Sequence, residues 1–339
     1  MEKKIIYLSK IRSLASIAIV ILHTFTMYHI VDANSMTSVE EYITRLVPFL
    51  MMWAVPCFVM VSGSLLLDSN KNITIKKIFG KYILRIILIL IIFTLLFFYI
   101  DIIMTSQTIS VGEYISTWFK KFISGKSWAH MWYLYMLIGI YLMLPLYRII
   151  AKHATKTILI YIGIVIIFFI SIIEPLENII NIPIEFYIFI SSIFPVYLFV
   201  GYMIHNNMLK FNTLVSNLLV IISIISIVLL TLLNDNNIDN LLGNYSFIPV
   251  ICLSIGMYLL LHTTKESKLT RVWLFLDKYS FSIYLTHLIY LRILIRLIDW
   301  NPLEYGSFWM LFLVSIGVFI LSLVTSMILK LIPGLKKII

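Results

Sequence analysis

Arg12 and His23 stand with ten residues between them inside one apolar stretch, in a chain whose apolar stretches carry few other charges. Ionisable groups are expensive at bilayer depth and mark functional sites there by default. Eleven helical steps of about 100° turn through three turns plus about 20°, so both side chains share one helix face about 16 Å apart. A guanidinium at one end of that face can hold an anion. A neutral imidazole at the other can take a proton from a hydroxyl as a general base, with an unperturbed pKa of about 6.5 suited to that task. The competing reading of His23 is a histidine hydrogen-bonded within the helix packing.

Depth, at about 1.5 Å per helical residue, sorts the remaining polar residues into layers. Lys81 and Arg85, one turn apart, fall at the Arg12 level together with Ser62 and Gly63. Three cations beside small residues that allow close backbone approach suit a phosphate-bearing ligand. The alternative for Lys81 and Arg85 is snorkelling to lipid headgroups. His287 reaches a depth similar to that of His23. At the opposite boundary the run Ser127-Trp128-Ala129-His130-Met131-Trp132-Tyr133-Leu134 sets a histidine among aromatic faces, a cradle for a sugar ring or, for the aromatics alone, an interfacial belt. His29 is placed at the interface. Cys57 and Cys252 lie in separate spans and support neither a disulfide framework nor a metal site.

These groups require membrane helices to position them, and the composition demands the same. With 61% hydrophobic and 12% charged residues and a mean hydropathy of +1.01, a chain of 339 residues is an integral membrane protein. Its apolar runs approach the about 20 residues that a helix needs to cross a bilayer, and they lack the short alternation of barrel strands. Spans are expected near 11–31, 43–67, 78–100, 130–150, 157–173, 185–205, 213–233, 245–262, 273–297 and 307–331, an all-α bundle of about ten transmembrane helices. With the N-terminus cytoplasmic, 20 of the 26 Lys and Arg fall inside, among them Lys3, Lys4, Lys152, Lys265 and Lys337, whereas 12 of the 16 acids fall outside, among them Glu40, Glu174, Glu185, Asp235 and Asp239. Both termini are therefore expected in the cytoplasm. The net charge of +10 follows from this topology and from anionic lipid, with no nucleic acid partner implied. The basic start of the first span lacks a small-residue cleavage site, so it reads as a retained helix. Residues 1–339 read as one membrane domain with no appended soluble domain, and 101–129 as the longest outer loop.

Four motifs in this order resemble the acyltransferase-3 family. They are Arg12 with His23, the run Val55-Pro56-Cys57-Phe58-Val59-Met60-Val61-Ser62-Gly63, His130-Met131-Trp132-Tyr133-Leu134, and Ser280-Phe281-Ser282-Ile283-Tyr284-Leu285-Thr286-His287, with a weaker match at Pro195 to Tyr202. Cys57 followed by Phe58 departs from the phenylalanine pair of many relatives. The resemblance implies a bacterial cell-membrane enzyme that moves an acyl group, commonly acetyl, from cytoplasmic acyl-CoA to a hydroxyl of an exported or cell-surface glycan or lipid-linked saccharide. It implies His23 as the essential histidine, Arg12 as a donor contact, and Lys81 or Arg85 as the basic position on the third helix. Acetyl-CoA would be the donor, with no tightly bound cofactor. Ser62 and Gly63 would join the donor site, and His130, Trp132, Tyr133, Tyr284 and His287 would meet the acceptor. The covered segment carries no extracytoplasmic transferase, so the chain would act alone or hand its acyl group to a separate one.

The residues leave a second reading open, in which the same polar layers form the path of a transporter for a glycan or a small polar solute. Against it, the spans lack paired acids for ion coupling, since Asp101 and Asp299 lie at outer ends. Arg292 and Arg296, one turn apart near the outer end of the ninth span, suit an anionic glycan, a lipid-linked diphosphate or headgroup snorkelling.

Overall fold

The computed structural model describes residues 5–32, 36–68, 70–180, 190–263 and 267–339, and among them every regular element is a helix. In chain order these include α1 (Ile6–Asp32), α2 (Ser38–Met51), α3 (Ala54–Leu66), α4 (Ile75–Met104), α5 (Val111–Ile123), α6 (Ala129–His153), α7 (Lys156–Glu177) and α8 (Phe194–His205). They continue with α9 (Thr213–Thr231), α10 (Asn236–Leu242), α11 (Ile248–His262), α12 (Thr270–Asp277), α13 (Ser280–Leu297), α14 (Trp309–Leu329) and α15 (Pro333–Ile338).

Among the described residues eight helical segments are long and apolar enough to cross a membrane, with α2 and α3 counted together across the turn at Met52 and Trp53. The expected sixth and eighth spans correspond to α8 and α11, which are apolar but shorter, at 12 and 15 residues. The start of the sixth, with Glu185, lies outside the described residues, as do Lys3, Lys4 and Lys265.

Helix α1 sits at the centre, packed against α2, α3, α11, α12, α13 and α14. Its small polar residues allow that density. Ser9, Ser13, Ser16 and Thr24 are buried, and Ser13 Oγ reaches both Ser9 O and Trp273 O at 2.9 Å, so the hydroxyls are satisfied on backbone. Apolar helices in lipid associate through such small residues and close contacts. The tightest crossing joins α3 to α8 through two glycines. A Cβ on Gly63 would lie 1.9 Å from Leu198 O, and one on Gly201 would lie 2.0 Å from Met60 O, so each helix presses its backbone into the gap left by the other's glycine.

Two expected elements differ. The ninth span breaks at Lys278 and Tyr279, leaving the amphipathic α12 ahead of α13, and Ser280 Oγ donates to Asp277 O at 3.0 Å across the break. The expected outer loop contains α5, started by a capping box in which Ser110 Oγ accepts from Glu113 N at 3.3 Å and the Glu113 carboxylate accepts from Ser110 N at 2.9 Å. Val111, Ile115, Phe119 and Ile123 form an exposed apolar stripe at i, i+4 spacing, while Trp118 Nε1 anchors the other face to Thr94 Oγ1 at 2.9 Å. That pattern is an interfacial helix lying along the bundle.

Charges fasten the ends. Arg148 donates to the carbonyls of Leu66, Asp68 and Lys71, closing the carboxyl end of α3. At the other end Arg45 forks onto Asp239 at 2.7 and 2.8 Å and ties α2 to α10. Arg85 Nε donates to Ile338 O at 2.5 Å, bringing α15 against α4 at the Arg12 end of the bundle.

Candidate active site

The first turns of α1 present Arg12 to the break between α12 and α13. Its Nε and Nη2 donate to Asp277 Oδ1 and Oδ2 at 2.5 and 3.0 Å, and Ser9 Oγ donates to Oδ2 at 2.8 Å. The carboxylate is 3% exposed and the guanidinium 26%, so the pair is anchored inside and open on one side. A planar guanidinium held by a bidentate fork keeps a fixed orientation, which a lysine would not. Asp277 was not foreseen, although it is one of few acids on the basic side of the chain and opens the ninth span.

Arg12 borders a cavity of about 330 Å³ that also meets Ser62, Arg85, Tyr82, Tyr141, Phe281, Tyr133 and Tyr284. The two arginines come from α1 and α4, and the remaining lining is mainly aliphatic and aromatic. Arg85 lies 5.6 Å from the Phe281 ring centre. The deep end reaches Ile19, one turn before His23, and Tyr284.

Beyond Tyr284 three imidazoles converge. The His23 ring centre is 5.1 Å from that of His287 and 6.5 Å from that of His130, and His130 and His287 are 5.4 Å apart. A carbonyl oxygen can only accept, so the contact of His130 Nε2 with Leu285 O at 3.3 Å and that of His287 Nδ1 with Ile283 O at 3.2 Å make both nitrogens the protonated ones. The opposite nitrogens, His130 Nδ1 and His287 Nε2, are buried with no hydrogen-bond partner among the described residues. An unsatisfied buried acceptor costs on the order of 1–3 kcal/mol, and a pair of them beside a third imidazole marks a place built for a proton donor to enter. Tyr284 donates its hydroxyl to His130 O, and its ring is 5.3 Å from the His130 ring, so it is the wall between cavity and cluster.

The expected residues thus divide. Arg12, Ser62 and Arg85 share the cavity; His23 and His287 meet at one depth. Gly63 does not open room for a ligand, because the Leu198 carbonyl of α8 fills the space at its Cα. Lys81 sits exposed on the π-helical turn Ile78–Ile83, away from the cavity lining. The expected outer cradle is also rearranged. His130 turns inward to the histidine cluster, and Tyr133 and Tyr284 face the Arg12 cavity. Trp132 packs against Tyr133, Phe194 and Tyr245. The short 3₁₀ turn Ala129–Met131 that opens α6 sets this inward direction. Among the described residues no three His, Cys, Asp or Glu side chains are arranged to hold a metal ion.

A many-helix membrane bundle with a buried imidazole cluster at the end of an arginine-lined cavity defines a multi-pass membrane protein with a candidate reaction centre inside it. A family model described as an acyltransferase domain matches residues 5–330, and the chain belongs to the acyltransferase-3 family. No curated protein and no solved structure matches it.

Proposed function

We propose that this protein is a membrane O-acyltransferase that takes an acyl group, acetyl by preference, from acyl-CoA on the cytoplasmic side and places it on a hydroxyl of an extracytoplasmic saccharide. The observation that carries the reading is the alignment along α1: Arg12 at the cavity, Ile19 at its deep end, and His23 one turn further within the histidine cluster. The positive-inside bias supports a cytoplasmic position for the Arg12 end and both termini.

The cavity residues fit the donor's chemistry. Arg12 and Arg85 match phosphate oxygens, and the aliphatic and aromatic lining matches an uncharged acyl-bearing arm. The fork on Asp277 presets Arg12 for that contact. Its volume suits the arm and leaves the nucleotide at the mouth.

His23 then acts as general base. The His130 and His287 rings lie 6.5 and 5.1 Å from that of His23 and each keeps an unpaired acceptor nitrogen, so a His23 N–H can be taken up there and the other His23 nitrogen left for a proton. The acceptor oxygen loses its proton to His23 and bonds to the thioester carbonyl carbon; the C–S bond breaks, and the thiolate takes the proton from His23. An ester and a free thiol result. Tyr284 must move aside for the thioester to reach His23, so the wall doubles as a gate against water.

The test uses proteoliposomes supplied with acetyl-CoA on one face and an acceptor on the other. Thiol release that requires both, and that disappears in His23→Ala, is expected. Solute flux without thioester consumption would overturn the reading in favour of transport. Acyl-histidine trapped on His23 without acceptor would replace the direct transfer by a covalent carrier.

A further inference from the structure

The end of the bundle away from Arg12 holds a second basic basin. The outer segments of the proposed topology contain Arg45, Lys120, Lys121, Lys126, Arg292 and Arg296. Arg45 is taken by Asp239. Lys121, Lys126, Arg292 and Arg296 line two adjoining depressions of about 150 and 270 Å³ that share Phe98, Asp101, Lys121 and Arg292.

Among the described residues Asp101 is the only carboxylate in either lining, and it is already engaged, accepting from Trp128 Nε1 at 3.1 Å and pairing with Arg292. Four basic side chains against one carboxylate leave an excess of three positive charges. Snorkelling does not account for this arrangement. The cations come from α5, the turn after it, and α13; Lys121 and Arg292 border both depressions, Lys126 the first and Arg296 the second. Two are pinned on aromatic faces, Arg292 at 4.2 Å from the Trp128 ring centre and Lys121 at 4.5 Å from that of Phe98. Like charges held together in this way repel until an anion enters.

The basin also adjoins the reaction centre. Trp128 stacks on Phe97 with centres 4.1 Å apart and planes at 6°, and Phe97 lies 5.5 Å from the His130 ring. Arg292 follows His287 by five residues on α13, about 7.5 Å along the helix.

We propose that this basin binds a phosphate group on the acyl acceptor, so that a saccharide attached to that phosphate presents its hydroxyl to the histidine cluster. An excess of three charges matches a phosphate better than a carboxylate, and several donors can reach separate phosphate oxygens. The inference rests on the proposed acyl transfer for the word acceptor, but the binding site stands on its own geometry.

The experiment is equilibrium dialysis of radiolabelled glucose 1-phosphate against the full chain in phosphatidylcholine nanodiscs. Saturable binding is expected, uncompeted by glucose, weakened roughly tenfold or more in Lys121→Gln/Arg296→Gln, and preserved in Lys121→Arg. Both glutamine variants are also measured singly, so a folding failure of the double variant leaves the result readable. Competition by glucose as strong as by the phosphate ester, or wild-type binding in every glutamine variant, would overturn the proposal. Loss of binding when phosphatidylglycerol is added to the discs would also overturn it, assigning the basin to a lipid headgroup. No acyl donor is present, and His23→Ala is expected to bind the probe as wild type does. Failure of acyl transfer and failure of this site are therefore separate outcomes.

Discussion

Basic side chains gather around a cavity at both ends of the bundle, and the two gatherings differ in what surrounds them. At the Arg12 end two arginines stand over a lining of Ile19, Val55, Phe58, Leu137, Tyr133 and Tyr284, and Asp277 holds Arg12 by a bidentate fork. At the other end Lys121, Lys126, Arg292 and Arg296 border smaller, more polar depressions, with Asp101 as their single carboxylate among the described residues. The first arrangement suits a molecule charged at its head and apolar along its arm. The second suits a compact, hydrophilic anion. Between them lie the three imidazoles and one aromatic wall on each side, Tyr284 towards Arg12 and Phe97 with Trp128 towards Arg292. One histidine cluster is thus flanked by an apolar-lined approach on one side and a polar, cationic one on the other, as the proposed transfer between two chemically unlike reactants requires.

The comparison can be broken most directly at its midpoint. His23→Ala is expected to lower the transfer rate by about 10²–10⁴-fold, the range of a lost general base, in a steady-state assay of thiol release. Arg12→Ala should lower kcat/KM by about 10–100-fold through the KM for acyl-CoA, leaving the KM for acceptor unchanged. A rise in the acceptor KM instead would erase the distinction between the two ends.

Asp277→Asn is expected to cost about tenfold in the same donor parameter. Combined with Arg12→Ala it should add almost nothing, because Asp277 acts through the arginine; an additive double variant would show an independent role. Tyr284→Phe removes the hydroxyl bond to the His130 carbonyl and should reduce kcat by about 2–10-fold with either KM little moved. Lys81→Ala, exposed and outside the cavity, should stay within about twofold of wild type, as surface substitutions do.

Much of this arrangement was legible in the chain because depth along a membrane helix is linear in residue number. That rule, with the span directions given by the positive-inside bias, put His23 level with His287 and set Arg12, Ser62 and Arg85 at one end, and the structure brings these groups together. Direction around a helix was harder to read. Gly63 looked like room for a ligand, yet the space belongs to the crossing with α8, since a glycine in one helix says nothing about the backbone it will meet. Lys81 and Arg85 are one turn apart in sequence, but a π-helical turn around Lys81 shifts the helical phase between them. The inward turn of His130 depends on the Leu285 carbonyl contributed by α13, 155 residues away. Asp277 and the capping box at Ser110 and Glu113 did carry signals, the first as an acid among basic neighbours and the second as a local helix start inside an expected loop.

The central claim is that donor binding and acyl transfer reside in separate layers of α1, at Arg12 and at His23. It is tested by measuring equilibrium binding of radiolabelled acetyl-CoA and single-turnover acetyl transfer on the same preparations of wild type, Arg12→Ala and His23→Ala in nanodiscs. His23→Ala is expected to bind acetyl-CoA within about threefold of wild type and to transfer acetyl about 10²–10⁴-fold more slowly, whereas Arg12→Ala loses about tenfold or more in binding. Normal transfer by His23→Ala, or unchanged acetyl-CoA binding by Arg12→Ala, would contradict it.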